Sequence, residues 1–132
     1  MKMKKLFLLT VICVMGFTAW SQQTEVKESL DAKAFKSKLE ATPDAVVLDV
    51  RTPEEVSKGK IPGAVNIDFN SADFEKNIAA LDKTKTYFVY CAKGGRSSQA
   101  VDQMSAAGFS KLYNLTDGIG GWKEARLPLT KK

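Results

Sequence analysis

Histidine is absent from this chain of 132 residues, and cysteine occurs only twice, as Cys13 and Cys91. Without histidine, Ser-His-Asp and Cys-His mechanisms have no base. So few cysteines and no histidine leave a structural zinc site without its usual ligand set. Beyond the lysines at the N-terminus no stretch concentrates charge of one sign, so nothing suggests the basic face that nucleic acid would need, although the formal net charge is +5. Internal repeats and low-complexity linkers are also lacking. The longest apolar run, Leu6 to Phe17, is shorter than the ~20 residues that a membrane-spanning helix requires.

That run is nonetheless informative. Lys2, Lys4 and Lys5 precede it, and Ala19-Trp20-Ser21 follows, with small residues at the two positions a signal peptidase inspects. The order charged, apolar, small-x-small predicts a cleaved secretory signal over residues 1–21 and an exported, periplasmic protein with no membrane attachment after cleavage. A lipid anchor on Cys13 is disfavoured by Ile12, where a small residue is usual. Three of the 20 basic residues and none of the 15 acidic ones lie in that segment, so the exported chain keeps 17 basic and 15 acidic groups, a net +2. Its length suits one domain, and nothing in it calls for a second copy, so a monomer is expected. Cys91 is then its sole cysteine. Exported domains generally use cysteines in disulfide pairs, so a leftover one is either an inert buried residue or a reactive thiol.

Beyond residue 21, apolar and polar segments alternate. Residues 22–40 are expected to supply an N-terminal strand and helix, with Gln22 to Lys27 as a loose leader and Asp31 capping a helix that carries Ala34, Phe35 and Leu39. Ala45 to Val50 is a continuous apolar and β-branched run suited to a strand buried on both faces. Thr52-Pro53-Glu54-Glu55 opens a short helix, with cap, N1 proline and first-turn acids. Ala64 to Ile67 reads as a short strand and Ser71 to Leu81 as a helix. Thr86 to Tyr90 is a strand, Ser97 to Ala107 a helix, Lys111 to Leu115 a strand. Thr116 to Gly121 is a glycine-rich loop, Trp122 a core residue on a final short helix, and Lys131-Lys132 a frayed tail. This alternation predicts an α/β fold. It should be a single three-layer domain, with a mostly parallel central sheet of about five strands and helices on both faces.

In such sheets ligands bind where strands end and helices begin. Cys91 occupies that place, directly after Tyr90. The loop Cys91-Ala92-Lys93-Gly94-Gly95-Arg96-Ser97 contains what a thiolate needs, since the thiolate and not the thiol is the nucleophile. Lys93 and Arg96 bring positive charge, residues 91–101 contain no acid, and the following helix turns its free amides and dipole toward the loop. Gly94 and Gly95 allow the backbone to curl into an anion nest. Ser97 and Ser98 read as helix caps, and Ser97 also as a donor to the sulfur. Lys93 reads equally as a side chain pointing to water, and Asp49 with Arg51 as an ordinary strand-end salt bridge.

Cys-x-x-Gly-x-Arg over Cys91 to Arg96 resembles the active-site loop of the rhodanese family. Leu48 to Glu55 resembles that family's first signature and Gly59 to Ile67 its continuation. Asn114-Leu115-x-x-Gly118-x-x-x-Trp122 resembles its closing signature. The likeness spans residues 41–129. It departs at Lys60, where many relatives carry histidine. The resemblance implies a thiosulfate sulfurtransferase in which Cys91 holds a persulfide. Its donor would be a small sulfur-containing anion. Its acceptor would be cyanide or a thiol, including a protein thiol. Lys93, Gly94, Gly95, Arg96 and Ser97 would bind the donor or the sulfur, Asp49 and Arg51 would brace the loop, and no metal or organic cofactor is implied. Three other readings stand beside it: a non-catalytic rhodanese-like binding module, a persulfide carrier for a partner protein, and a cysteine-based phosphatase or arsenate reductase. The last resembles loops with five residues between cysteine and arginine, whereas four lie between Cys91 and Arg96.

Overall fold

The computed structural model describes residues 25–132; the expected signal segment lies outside them. The elements run β1 (Val26–Leu30), α1 (Ala32–Glu40), β2 (Ala45–Asp49), α2 (Pro53–Ser57), β3 (Val65–Asn66), α3 (Phe74–Ala79), β4 (Thr86–Tyr90), α4 (Gly95–Ala106), β5 (Lys111–Leu115) and α5 (Gly118–Glu124). The strands form one sheet in the order β1-β5-β4-β2-β3, every neighbouring pair parallel. The expected α/β architecture is what the structure has.

Two apolar layers sandwich the sheet because alternate residues of each strand face opposite sides. Leu48, Tyr87, Val89 and Leu112 pack under Phe74 and Ile78 of α3 and Ala100, Val101 and Met104 of α4. Val47, Phe88, Tyr90, Tyr113 and Leu115 pack under Phe35 of α1 and Ile119 and Trp122 of α5. Phe35 is fully buried and meets Phe88 and Trp122 edge-on, with ring centroids 5.3 and 6.3 Å apart. Burying such a ring stabilises by roughly 1.5–3 kcal/mol. Trp122 is the core residue expected, and its indole N–H donates to the Pro128 carbonyl at 2.8 Å.

Capping follows the sequence in part. Asp31 accepts from the Ala34 amide at 2.8 Å, and Thr52 with Glu55 forms a reciprocal capping box on α2. Four expectations shift. Val26 and Lys27 belong to β1, in register with Lys111 and Leu112, rather than to a loose leader. β1 is an edge strand with a largely exposed middle, so its polar sequence hid its pairing. Ser71 does not cap α3: its hydroxyl accepts from the Asp73 amide at 3.1 Å in a local turn, and α3 starts at Phe74. Ser97 and Ser98 are not caps either, because α4 begins two residues before Ser97. Gly94, at φ +97°, turns the chain at once, and its carbonyl accepts from the Ser98 amide at 3.1 Å. The glycine-rich stretch after β5 is largely helical, α5 starting at Gly118. At the C-terminus, Thr130 pairs with Lys60 through bonds of 2.8 and 2.9 Å, which leaves Lys131 and Lys132 as an exposed tail.

The topology places a crevice. From β2 the chain crosses by α2 to β3, outward on one side; from β4 it crosses by α4 to β5, outward on the other. Adjacent strands β2 and β4 therefore send their C-terminal segments in opposite directions, which opens a switch point between them.

Candidate active site

Cys91 is the first residue beyond β4, at that switch point, and is 1% exposed. The loop after it is held in a tight curl from outside. The amides of Ile119 and Gly120, free at the start of α5, donate to the carbonyls of Cys91 and Ala92 at 2.9 and 3.2 Å. Gly118, at φ +60°, permits this approach: a Cβ there would lie 2.4 Å from Ala92 backbone atoms. With the Cys91 and Ala92 carbonyls committed outward, amides face the sulfur. The Gly94 N–H donates to Cys91 Sγ at 3.1 Å. Ser97 Oγ lies 3.4 Å from the same sulfur and 3.1 Å from the Gly94 carbonyl. One hydroxyl proton serves these two acceptors, and a charged acceptor makes the stronger bond, so ionisation of Cys91 draws it to sulfur.

Burial pushes the Cys91 thiol up. The Ser97 hydroxyl and the amides of Ser97, Lys93 and Gly94 outweigh that and hold it below its ordinary range. The cradle thus stabilises a sulfur anion with backbone and hydroxyl dipoles.

The cations sit differently. Lys93 contributes its amide, while its side chain is exposed. Gly95 opens α4 with open space around it and no left-handed backbone, so Gly94 alone supplies the turn. Arg96 reaches across the crevice to Glu55 of α2, its Nη1 and Nη2 donating to the two carboxylate oxygens at 2.7 and 2.9 Å. The Arg96 guanidinium holds Glu55 down to about 2, with the Thr52 amide and hydroxyl adding to it against the opposing effect of burial. Glu55 in turn raises Arg96, to which Cys91 and Asp68 contribute through space.

Asp49 and Arg51 lie beside this loop but outside the sulfur cradle. Both are buried, with Arg51 Nη2 2.7 Å from Asp49 Oδ2. Arg51 also donates to the carbonyls of Gly59 at 2.8 Å and Glu55 at 3.3 Å. The Tyr90 hydroxyl donates to Asp49 Oδ2 at 2.5 Å and accepts from the Ile61 amide at 3.1 Å. This network ties α2 and the 59–61 segment to the residue immediately before Cys91. A buried pair of this kind stabilises little in itself, but removing one partner strands a charge, at about 3–5 kcal/mol.

Sequence reasoning missed Glu55 and Tyr90 as parts of this arrangement. Glu55 reads locally as a first-turn helix acid and Tyr90 as a strand aromatic. The available signal was topological: residues opening the helix after the strand adjacent to β4 must face the Cys91 loop. No group of three His, Cys, Asp or Glu side chains suited to a metal occurs among the described residues.

The rhodanese-like domain family matches residues 31–125. A sulfurtransferase of Allochromatium vinosum is 29% identical over 100 residues, covering 76% of this chain and 92% of that protein. Thiosulfate sulfurtransferase PspE of Escherichia coli (strain K12) is 33% identical, covering 64% of this chain and 77% of that one. The crystal structure of a rhodanese-related protein from Thermoplasma volcanium superposes with a TM-score of 0.70 at 29% identity, over 80% of this chain and all of that one. A single domain of parallel α/β topology fits these relatives, and the chain belongs to the rhodanese-like domain family.

Proposed function

We propose that this protein is a sulfurtransferase that carries sulfur as a persulfide on Cys91. The observation that carries the reading is the cradle: Cys91 Sγ accepts from the Gly94 amide at 3.1 Å and faces the Ser97 hydroxyl at 3.4 Å, at the N-terminus of α4. Dipoles fixed before reaction stabilise a sulfur anion without reorganising. The Cys91 thiolate attacks the outer sulfur of a sulfane donor. With thiosulfate, the S–S bond breaks, sulfite leaves with the bonding pair, and Cys91 is left as a persulfide anion in the same nest. A thiophilic acceptor, cyanide or a small or protein thiol, then attacks the outer sulfur and releases the thiolate. Lys93 and Arg96 line the mouth through which donor and acceptor pass, and Asp49 with Arg51 braces α2 and the strand end beside it.

The phosphatase reading is less well supported. Four residues separate Cys91 from Arg96, and the curl packs amides around one sulfur atom rather than around a tetrahedral phosphoryl group. Export to a periplasm and action as a monomer complete the proposal. An exported thiolate needs a reductant or a bound persulfide against over-oxidation, and burial of Cys91 serves the same end.

The test is the intact mass after incubation with saturating thiosulfate. A gain of one sulfur on Cys91, removed by cyanide, is expected, and Cys91→Ser should abolish it while leaving the fold unchanged. A wild-type mass that never changes with any sulfane donor, or phosphatase turnover without thiocyanate formation, sinks the reading.

A further inference from the structure

The mouth of the cradle is not the cationic funnel that an oxyanion donor would exploit. Glu55 accepts from both terminal nitrogens of Arg96, at 2.7 and 2.9 Å, and so occupies the forked edge that a guanidinium offers to an oxyanion. Glu55 is itself held in place. Its Oε1 also accepts from the Thr52 amide at 3.3 Å and the Thr52 hydroxyl at 3.2 Å, and its backbone carbonyl accepts from buried Arg51. Displacing the carboxylate would break the capping box of α2 as well as the ion pair. Asp68 adds a second negative charge within range of Arg96. Arg96 is thus matched by Glu55, and exposed Lys93 is the loop's remaining cation.

Charge then discriminates between donors. Thiosulfate brings two negative charges toward a thiolate, and nothing unpaired but exposed Lys93 offsets the repulsion. An organic persulfide brings none when protonated and one when ionised.

We propose that Glu55 is a specificity-determining residue: by engaging Arg96 it selects against dianionic oxyanion donors and in favour of organic persulfides. This rests on the sulfur-transfer reading above. In the favoured reaction the Cys91 thiolate attacks the outer sulfur of R–S–SH. The S–S bond of the donor breaks, a new S–S bond forms on Cys91, and RS⁻ leaves with the electron pair. The proton stays on the transferred sulfur, so one negative charge stands on each side. Glu55 acts through Arg96 and does not touch the sulfur; it is a positioning residue.

The test is single-turnover loading of Cys91 by intact mass, with two probes: thiosulfate and 2-hydroxyethyl persulfide, whose carbon end is uncharged. For Glu55→Gln, loading from thiosulfate should accelerate by about tenfold, while loading from the alkyl persulfide changes by less than about twofold. Glu55→Asp should restore the wild-type preference, and the gain should vanish in Glu55→Gln/Arg96→Ala. Wild-type loading from thiosulfate should depend only weakly on added salt, because with Arg96 paired to Glu55 a single exposed lysine steers an anion weakly. That arm needs no variant. Equal changes for both donors in Glu55→Gln, slower thiosulfate loading in that variant, or a steep salt dependence of the wild type each overturns the proposal. If the wild type loads from neither donor, the sulfur-transfer reading itself has failed. Loading from both donors without a split removes Glu55 alone.

Discussion

Gly94 packs its α-carbon against the backbone of Thr116 so closely that a Cβ would lie 2.0 Å from the Thr116 carbonyl oxygen. The same residue sits at φ +97° and donates its amide to Cys91 Sγ. One position thus ends β4's loop, starts α4 and shapes the sulfur cradle.

Gly94→Ala should therefore lose well over about 2 kcal/mol of stability, since left-handed strain alone is about 1–3 kcal/mol. Gly95→Ala, with open space around it, should stay near wild type or gain roughly 0.4–1 kcal/mol. Urea denaturation of the two variants checks this. Equal destabilisation would show that loop curvature is shared between the glycines.

Ser97→Ala should shift the reactive ionisation. The thiolate is the reacting form, so the rate of persulfide formation rises with pH through the Cys91 pKa, and the wild-type midpoint should fall below that of an ordinary cysteine. Burial raises that pKa and the Ser97 hydroxyl is the largest effect lowering it, so its removal should move the midpoint upward. A pH profile of loading in Ser97→Ala superimposable on the wild type would remove Ser97 from the cradle.

The ion pair between Glu55 and Arg96 should leave an acid signature. Arg96 lowers Glu55 to about 2 in the folded state. A depressed carboxylate contributes stability that is fully present above its unfolded pKa, about 4.3, and is lost as pH falls through the folded value. The difference in urea midpoint between wild type and Glu55→Gln should be constant from neutral pH to about 5, then shrink toward pH 2. A difference that grows on acidification would contradict the pairing.

Tyr90→Phe should lower stability by about 1–3 kcal/mol, the penalty for leaving a buried polar group unpaired. The Ile61 amide would lose its partner, while Asp49 would keep Arg51. The urea midpoint measures this, and a variant as stable as the wild type would show that the 59–61 segment closes over the gap.

Much of this molecule is written locally. The cap at Asp31, the capping box of Thr52 and Glu55, the apolar strand at Ala45 and the strand ending at Tyr90 all rest on patterns spanning a few residues. So does the position of Cys91 between a strand and a helix. Those patterns sufficed for an α/β domain and for the sulfur at its switch point, because helix periodicity, strand alternation and capping are short-range. The tertiary structure decided what the loop's charges do. Glu55 and Arg96 are 41 residues apart, as are Tyr90 and Asp49, and Gly94 meets Thr116 only because β4 and β5 lie side by side. Parallel strands bring their C-terminal ends together from distant parts of the chain, so the absence of acids near Cys91 in sequence did not mean their absence in space. The residues around Cys91 announced an unpaired cationic loop; the helix after the neighbouring strand supplied the carboxylate that pairs with Arg96.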